Sequence, residues 1–471
     1  MSCFFERRSE LSVTGLIWVV EAILLGCLLV NRFAGLSVVR PAWARWSLIC
    51  GAGAAVGIGL TSVLFFFCGS LLGMRAAALG IEVAVLAWAG YEVFRRRAPA
   101  PQPAKKKQTA LHVYIAAIGL LVALAMATAA IATSWDANPQ GDWDAWAIWN
   151  LRARFLASGG ALAQRAWSPV LGRSTHAEYP LLLSSFVARS WAFSHSFSTA
   201  VPAATSYAFF LALIALVAGG IAALRGPVLG LLAALALAST PALLHQVPSQ
   251  YADMPLACYF AGAIVFALLD RPILAGIFAG CAAWTKDEGV LFLAVILAVT
   301  AALKRRAVLA TLAGAAPAAA VAVIFKMWLA RGNAGLLSTS LPGAGKRLAD
   351  AGRYGVTLAA FGREFTGMGV GWYHPVLPLI ALAVVLRFDR ERRRDAAYCG
   401  ALVGFLLLGY FGVYILTNND LTWLLQSSLN RVLVQVWPVL VLAGFVALRV
   451  PQSAVIVKPV PLAAKARRKA R

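Results

Sequence analysis

Negative charge is the scarcest feature of this chain, and charge of either sign is uncommon. Of its 471 residues only 13% are charged, and 19 are Asp or Glu. Because a soluble domain carries roughly a quarter charged residues, this composition excludes an ordinary soluble globular protein. Hydrophobic residues make up 61% of the chain and its mean hydropathy is +0.77, which is typical of an integral membrane protein.

Cysteine is also sparse. The seven cysteines lie mostly within apolar runs and show no paired spacing. This pattern argues against a disulfide framework and against a zinc framework. We interpret the cysteines as small residues of a hydrophobic core.

Positive charge, by contrast, is abundant, and the net charge is +23. The basic residues cluster in short segments between apolar runs, at 95–97, 105–107, 304–306, 390–394 and 465–471. Short basic loops between spans are the positive-inside pattern of membrane proteins, and they can attract anionic lipid heads. We therefore expect membrane lipids, and no nucleic acid, as partners of this charge.

Apolar runs near 20 residues recur along most of the sequence, and this is the length that a helix needs to cross a bilayer. They predict spans at 11–30, 47–69, 72–94, 111–134, 198–223, 228–245, 252–269, 272–285, 288–303, 307–330, 372–387, 397–417 and 431–449. The eighth is short, so the prediction is twelve or thirteen spans. The predicted fold class is all-α, a polytopic transmembrane helical bundle with amphipathic juxtamembrane helices in its outer loops.

The basic clusters, placed on the inner side, divide the chain into four predicted segments. Residues 1–94 form a three-span N-terminal accessory unit, and 95–107 form a basic, proline-rich cytoplasmic linker. Residues 108–450 form the functional core, with outer loops at 135–197 and 331–371. A basic cytoplasmic tail follows at 451–471.

The few acidic residues gather on one predicted side. Ten of the nineteen fall in the outer segments of the core: Asp136, Asp142, Asp144, Glu178, Asp253, Asp287, Glu288, Asp350, Glu364 and Asp420. A transporter is expected to keep such groups near the midplane of the membrane. The acidic residues gather at one face instead, and this indicates an active site that opens at that face.

The first outer loop opens with GDWDAW, in which Asp142 and Asp144 lie among tryptophans. Trp146, Trp149 and Phe155 recur at helical spacing and predict an amphipathic helix. The two aspartates lie at its N-terminal end, where they either cap the helix or supply a carboxylate for chemistry. The tryptophans fit either an interfacial belt or a surface for stacking sugars.

The same loop continues with STHAEYP, which contains His176, Glu178 and Tyr179. A histidine in a loop is usually solvated. His-x-Glu could begin a metal site, but further histidines at suitable spacing are lacking. The Tyr-Pro pair predicts the start of a helix that re-enters the membrane.

Three later motifs each place a charged residue on the outer side. QYADMP sets Asp253 at the tip of a tight turn, and WTKDEG sets Lys286, Asp287 and Glu288 at the end of a short span. SSLNRVLVQVWP sets Arg431 at the outer rim of the last span, against the positive-inside bias. Structural alternatives are a helix cap for the aspartate and snorkelling for the cations.

In this order, GDWDAW, H-x-E-Y-P, Y-A-D-x-P, W-T-K-D-E-G and S-x-N-R resemble the polytopic glycosyltransferases of superfamily C. The resemblance is to the bacterial relatives of protein O-mannosyltransferases and of the lipid A aminoarabinose transferase, and it covers about 108–450. The three preceding spans depart from that family, in which the catalytic loop follows the first span. Their role is left open by the resemblance.

The resemblance implies an enzyme of the bacterial inner membrane that transfers a sugar from a polyprenyl-phosphate carrier, with inversion, at the outer face. An aspartate of the first outer loop acts as general base. This is Asp144 or Asp142, and Asp144 is favoured because it lies closer to the helix. The growing charge of the lipid phosphate requires cations, for which Lys286 and Arg431 are best placed. Asp253 then orients Lys286 or binds a sugar hydroxyl.

The remaining candidates for substrate binding are His176, Glu178, Tyr179 and Glu288. No cofactor is required for this chemistry, and a divalent metal between Asp144 and Asp253 is an open alternative. The acceptor is a glycan, a lipid or a protein. A transporter or flippase of lipid-linked saccharides is the alternative function, and it requires polar residues along a path to the inner face.

Overall fold

The computed structural model describes residues 13–95, 111–333, 335, 339–368 and 374–450. The predicted tail at 451–471 and all but the first residue of the predicted linker lie outside the described residues, as do 334, 336–338 and 369–371 of the second outer loop. Within the described ranges the chain is all-α and contains no strand. One isolated antiparallel bridge joins Phe388 and Leu448.

The helices follow one another closely. In chain order they are α1 (Leu16–Phe33), α2 (Ala42–Leu64), α3 (Arg75–Arg95), α4 (Leu111–Ala137), α5 (Asn150–Ser158), α6 (Leu182–Ser194), α7 (Ala200–Arg225), α8 (Pro227–Ala238), α9 (Pro241–Ser249), α10 (Asp253–Leu268), α11 (Pro272–Thr285), α12 (Asp287–Leu303), α13 (Val308–Ile324), α14 (Ala344–Ala349), α15 (Ala351–Thr366), α16 (Val376–Leu386), α17 (Arg393–Leu416) and α18 (Leu421–Ala447). π-Helical turns follow α2 and α13 at Phe65–Leu71 and Phe325–Leu329, and a third precedes α5 at Ala145–Trp149.

The prediction of an all-α polytopic membrane protein is confirmed. By length and composition, eight helical segments of the described residues are able to cross a membrane: Val13–Phe33, Ala42–Leu71, Arg75–Arg95, Leu111–Ala137, Ala200–Arg225, Arg305–Leu329, Arg390–Leu416 and Leu421–Ala447. A ninth is formed if α8 and α9, which are bent by 61°, count as one broken span. Each remaining predicted span falls on a shorter helix, namely α10, α11, α12 or α16.

The second helix of the predicted accessory unit lies inside the bundle. A Cβ atom at Gly57 of α2 would lie 1.9 Å from the carbonyl oxygen of Ala22 on α1. One at Gly51 would lie 2.8 Å from the carbonyl oxygen of Ala212 on α7. Small residues permit this close approach of helices in a membrane. The N-terminal helices are thus packed into the core, and their accessory role stays a prediction.

A buried group of three charges, here termed the N-terminal triad, joins α1 and α3 to α6. Arg189 on α6 is fully buried, and its Nε donates to the two carboxylate oxygens of Glu82 at 3.0 and 2.9 Å. Its Nη2 contacts Glu21, and its Nη1 donates to the carbonyl oxygen of Trp18 at 2.8 Å. A buried charge is costly unless it is paired in this way. The triad therefore ties the N-terminal helices to the first outer loop.

Loops that were predicted on the same side of the membrane contact one another. At the predicted inner end, Arg225 donates to Asp389 at 2.7 Å. At the predicted outer end, Arg75 donates to the carbonyl oxygen of Ala157 at 2.6 Å. The bundle therefore has two distinct ends, and which of them faces the cytoplasm stays a prediction.

Candidate active site

Polar side chains from distant helices meet at Asp253. This residue is the first of α10 and is completely buried. Its Oδ1 lies 3.2 Å from Lys286 Nζ and accepts a hydrogen bond from Gln435 Nε2 at 2.5 Å. Its Oδ2 accepts a hydrogen bond from Arg431 Nε at 3.0 Å. A carboxylate can be buried only when it is compensated in this manner.

Two further carboxylates extend this network. Arg431 Nη2 donates to Asp144 Oδ2 at 2.6 Å, across 287 positions of the chain. Lys286 Nζ lies 2.8 Å from Glu288 Oε1, while the other oxygen of Glu288 is buried without a hydrogen-bond partner among the described residues. We term these two pairs together with Asp253 the outer cluster. It contains three carboxylates and two cations, and it has an acceptor available for a ligand or water.

Helix breaks place these side chains. The chain leaves α9 at Gln250, whose φ of 57° cannot continue the helix, and α10 begins three residues later at Asp253. Lys286 has an extended backbone between α11 and α12, with φ −163° and ψ 166°. Asp253 and Glu288 thus lie in the first turns of helices, where the backbone N–H groups favour negative charge.

The cations of the outer cluster are held in the charged state. Burial opposes the charge of Lys286, but the carboxylates of Asp253 and Glu288 outweigh it and raise the pKa of the ammonium group. The guanidinium carbon of Arg431 lies 4.2 Å from the centroid of the Tyr251 ring, a distance at which the aromatic face attracts a cation. Burial raises the pKa of the Tyr251 hydroxyl, so this residue stays a neutral phenol.

The two aspartates of GDWDAW have different partners. Asp144 binds Arg431, and its side chain makes no capping hydrogen bond to the helical turn that follows. Asp142 Oδ2 instead accepts a hydrogen bond from Ser249 Oγ at 2.6 Å. Capping therefore does not account for Asp144. Of the two carboxylates, this is the one that belongs to the outer cluster.

The helix that carries Arg431 begins before the predicted span, which starts at that residue. The position of Arg431 at the outer rim of the membrane stays a prediction. α18 begins at Leu421, so Arg431 lies about 15 Å along the helix. The polar residues that precede it are accommodated by side-chain contacts, such as that between Ser428 Oγ and Tyr414 Oη at 2.8 Å. The apolar run alone could not show this extension, because it begins only after those polar residues.

The HAEYP residues form a stack beside the outer cluster. His176 Nδ1 lies 3.0 Å from Glu178 Oε1, and the His176 ring stacks on Tyr179 with centroids 4.5 Å apart. The Tyr179 ring also stacks on Trp149 at 5.9 Å and lies 5.7 Å from Lys286 Nζ. Tyr179 therefore borders the outer cluster. His176 is linked to the cluster through the Tyr179 ring, and Glu178 is linked to it through His176.

Two residues near the candidate site were not found from the sequence. Gln435 donates to Asp253, as described above. Lys326 Nζ lies 2.5 Å from Asp287 Oδ1 and donates to the carbonyl oxygen of Glu178 at 3.2 Å. Both are polar residues within predicted spans, and such residues are costly in a membrane and often functional. That signal could have identified them.

A groove of about 490 Å³ opens next to the GDWDAW segment, and we term it the outer groove. Its lining residues are Asn138, Gln140, Trp146, Asn150, Leu151 and Arg154. Asn138 Nδ2 donates to Asp142 Oδ1 at 3.1 Å and to the carbonyl oxygen of Gly141 at 2.9 Å. The groove is therefore one hydrogen bond away from the first aspartate of the motif.

Metal-ligand side chains do not gather in the part of the chain that the structure describes: no group of three or more His, Cys, Asp or Glu residues is suitably placed. Asp144 and Asp253, which were considered as ligands of a divalent metal, both bind Arg431 instead. A metal between them would have to displace this guanidinium.

Comparison with known proteins found no matching family model, no matching curated protein and no matching solved structure.

Proposed function

We propose that this protein is a glycosyltransferase that moves a sugar from a polyprenyl-phosphate carrier to an acceptor at the outer face of a bacterial inner membrane. The observation that carries the proposal is that Lys286 and Arg431 both bind the buried Asp253, while Arg431 also binds Asp144. An attacking hydroxyl needs a carboxylate, and a departing lipid phosphate needs cations. The outer cluster supplies both in a bundle of membrane-spanning helices.

In the proposed step, the oxygen of an acceptor hydroxyl forms a bond to the anomeric carbon of the sugar. The bond between that carbon and the phosphate oxygen breaks on the opposite side, which inverts the anomeric configuration. The hydroxyl proton passes to an aspartate, and the electron pair of the broken bond leaves with the polyprenyl phosphate. Lys286 and Arg431 stabilise the charge that grows on this phosphate.

Asp144 is the base that we favour, and Arg431 couples it to the donor. Arg431 binds Asp144 and Asp253. A donor phosphate competes with Asp144 for the guanidinium, because Arg binds phosphate through strong, charge-assisted hydrogen bonds. Donor binding would then release the Asp144 carboxylate to accept the hydroxyl proton. Asp144 should therefore act as a base only after the donor has bound.

A transporter or flippase of lipid-linked saccharides is the second candidate, and the broken helix pair α8–α9 favours it. Broken helices are common at the substrate sites of transporters. Thr240, at this break, accepts a hydrogen bond from Trp437 Nε1 at 3.0 Å, so the break is held by a structural contact. A transporter moves the lipid-linked sugar without cleaving it, and this distinguishes the two functions.

The transfer itself is tested with the purified full-length protein in lipid nanodiscs. Polyprenyl-phosphate hexoses and pentoses, each with a radiolabelled sugar, are supplied together with an extract of envelope glycans and lipids. The proposal expects release of free polyprenyl phosphate and label in a new product. Asp144→Asn should slow this release by about 10²-fold or more, whereas Asp270→Asn, a matched change at an 87% exposed side chain, should not. Transport of the intact donor without cleavage would overturn the transferase.

The side of the membrane is tested by cysteine labelling in a variant without native cysteines. Val170 is 93% exposed in the first outer loop, and Asp270 is exposed at the predicted inner end. A membrane-impermeant thiol reagent added to intact cells should label Val170→Cys and spare Asp270→Cys. The reverse pattern would place the outer cluster on the cytoplasmic side.

A further inference from the structure

We infer that the outer groove is the acceptor site and that the acceptor is a saccharide; this inference rests on the proposed transferase function. The groove has a volume of about 490 Å³, within the range of roughly 300–1,000 Å³ that is usual for small-molecule sites. It lies directly against the motif that carries both candidate bases. In the proposed mechanism the outer cluster binds the donor phosphate, and this gives the groove no other role.

The lining of the groove has the hydrogen-bonding capacity that sugars require. Gln140 brings a carboxamide, which both donates and accepts. Asn138 brings a carboxamide oxygen, which accepts, because its Nδ2 already donates to Gly141 and Asp142. Asn150 is buried, and its Nδ2 donates to Gln250 Oε1. Arg154 brings a guanidinium, which only donates. Sugar hydroxyls also donate and accept, so this combination matches a polyhydroxylated ligand better than it matches a lipid chain.

Trp146 provides the apolar surface of the groove. Its side chain is 46% exposed, and its ring makes an edge contact with Trp143 at 4.5 Å between centroids. The C–H face of a sugar ring can pack on such an indole, which is apolar on its face and polar at its N–H. An interfacial belt accounts for exposed tryptophans. It does not account for three carboxamides and a guanidinium beside one of them.

The groove is held in shape by contacts that do not involve a ligand. Asn150 Nδ2 donates to Gln250 Oε1 at 3.4 Å, and Gln250 Nε2 donates to the carbonyl oxygen of Pro139 at 3.0 Å. The guanidinium carbon of Arg154 lies 5.5 Å from the centroid of the Phe197 ring. A site that is ordered before binding loses less entropy when the ligand arrives.

The two aspartates of GDWDAW then face two different substrates. Asn138 connects the groove to Asp142, and Asp144 binds Arg431 of the outer cluster. A saccharide in the groove would lie beside the GDWDAW segment, and Asn138 would link it to Asp142. The motif would thus sit between the acceptor and the donor. This arrangement gives a reason for two acids in a chain that has so few.

A glycan array probed with the full-length protein in nanodiscs tests this inference. Wild-type protein should bind one class of oligosaccharide, and Trp146→Leu should weaken that binding by about tenfold or more. Trp146→Phe keeps an aromatic face and should retain most of the affinity. Gln140→Ala should also weaken binding. Trp423→Leu is the matched control, because Trp423 is 59% exposed at the start of α18 and is not in the groove.

The outcomes separate the acceptor site from the transferase. Absence of saccharide binding, or binding that Trp146→Leu leaves unchanged, would overturn the inference. Saccharide binding without release of polyprenyl phosphate from any donor would refute the transferase and leave the groove as a saccharide site. Transfer to a peptide or lipid that is insensitive to Trp146→Leu would refute the acceptor site and leave the transferase. Thermal unfolding of each variant confirms that it is folded.

Discussion

The N-terminal triad and the outer cluster both bury opposite charges, and they differ in how far their arginines are closed off. In the N-terminal triad, Arg189 and Glu82 are completely buried and Glu21 keeps 14% of its side-chain surface exposed. In the outer cluster, Arg431 keeps 20% of its side-chain surface exposed and Asp144 keeps 15%. Both groups pair a guanidinium with two carboxylates. Ion pairing therefore does not by itself indicate a catalytic site.

The elements that carry the two groups differ as well. The triad joins residues from the middle of α1, α3 and α6, and it connects helices to one another. The outer cluster gathers Asp253 and Glu288 from helix starts, Lys286 from the break between α11 and α12, and Arg431 from inside α18, next to aromatic rings and a groove. A fully buried ion pair stabilises the fold, whereas a partly exposed ion pair can exchange one of its members for a ligand. The two groups should respond differently to mutation.

The largest effect is expected from Arg189→Met. This change leaves Glu21 and Glu82 without their cation, and an uncompensated buried charge costs about 3–5 kcal/mol. The yield of folded protein and its Tm in detergent should fall steeply, while turnover per folded molecule stays close to that of the wild type. An unchanged Tm would show that the triad is not a structural link.

Asp144→Asn should have the next largest effect, and on turnover rather than on folding. The amide keeps the size of the side chain but cannot take the proton, so turnover should fall by about 10²-fold or more. Donor binding should be retained or become tighter, because the amide competes less with the phosphate for Arg431, and Tm should stay near the wild-type value. If Asp142→Asn abolishes turnover and Asp144→Asn does not, then Asp142 is the base.

Lys286→Met and Arg431→Met should weaken donor binding and turnover together, by roughly tenfold to a hundredfold. This corresponds to the loss of one charge-assisted contact, about 1.5–3 kcal/mol. Matched controls are Lys346→Met and Arg363→Met, which remove exposed cations of the second outer loop. Because Arg431 also compensates the buried Asp253, turnover is normalised to folded protein. If both site variants bind the donor normally, Lys286 and Arg431 do not bind its phosphate.

The smallest effect concerns Glu178. Burial opposes ionisation of its carboxyl group, but the hydrogen bond and the charge of His176 outweigh burial and lower its pKa. A group with a lowered folded-state pKa adds stability above its unfolded value, about 4.3, and loses that contribution as the pH falls through the folded-state pKa. Glu178→Gln should therefore lower Tm slightly near neutral pH and match wild type once the pH has fallen below the folded-state pKa of Glu178. A difference in Tm that does not change with pH would contradict this ion pair.

The predicted spans were recoverable because they depend on local composition. A run of about 20 apolar residues is costly to expose to water and needs no distant partner to be recognised. Lys326 and Gln435 were overlooked because they lie inside such runs, and the apolar average hid them. The predicted last span began at Arg431, about 15 Å after the true start of α18, because polar residues at the start of this helix interrupt the apolar pattern.

The candidate site could be predicted only in part. Order and sidedness of the motifs brought Asp144, Asp253, Lys286 and Arg431 into one hypothesis, and the structure places these four within one network of contacts. Their individual partners could not be predicted. Nothing in GDWDAW distinguishes the aspartate that binds Arg431 from the one that binds Ser249, since the choice depends on how the first outer loop packs against α9 and α18.

Hydrophobicity and charge act locally and are read along the chain, so the sequence was enough to predict a helical membrane protein and to propose that its acids gather at one face. Which charges close on each other and which stay open depends on tertiary packing. Glu21, Glu82 and Arg189 gave no sign in sequence of forming one group, although each is an ionisable residue in or next to an apolar segment. Pairing depends on distances between helices far apart in the chain, and such distances are set by the packing of the whole bundle.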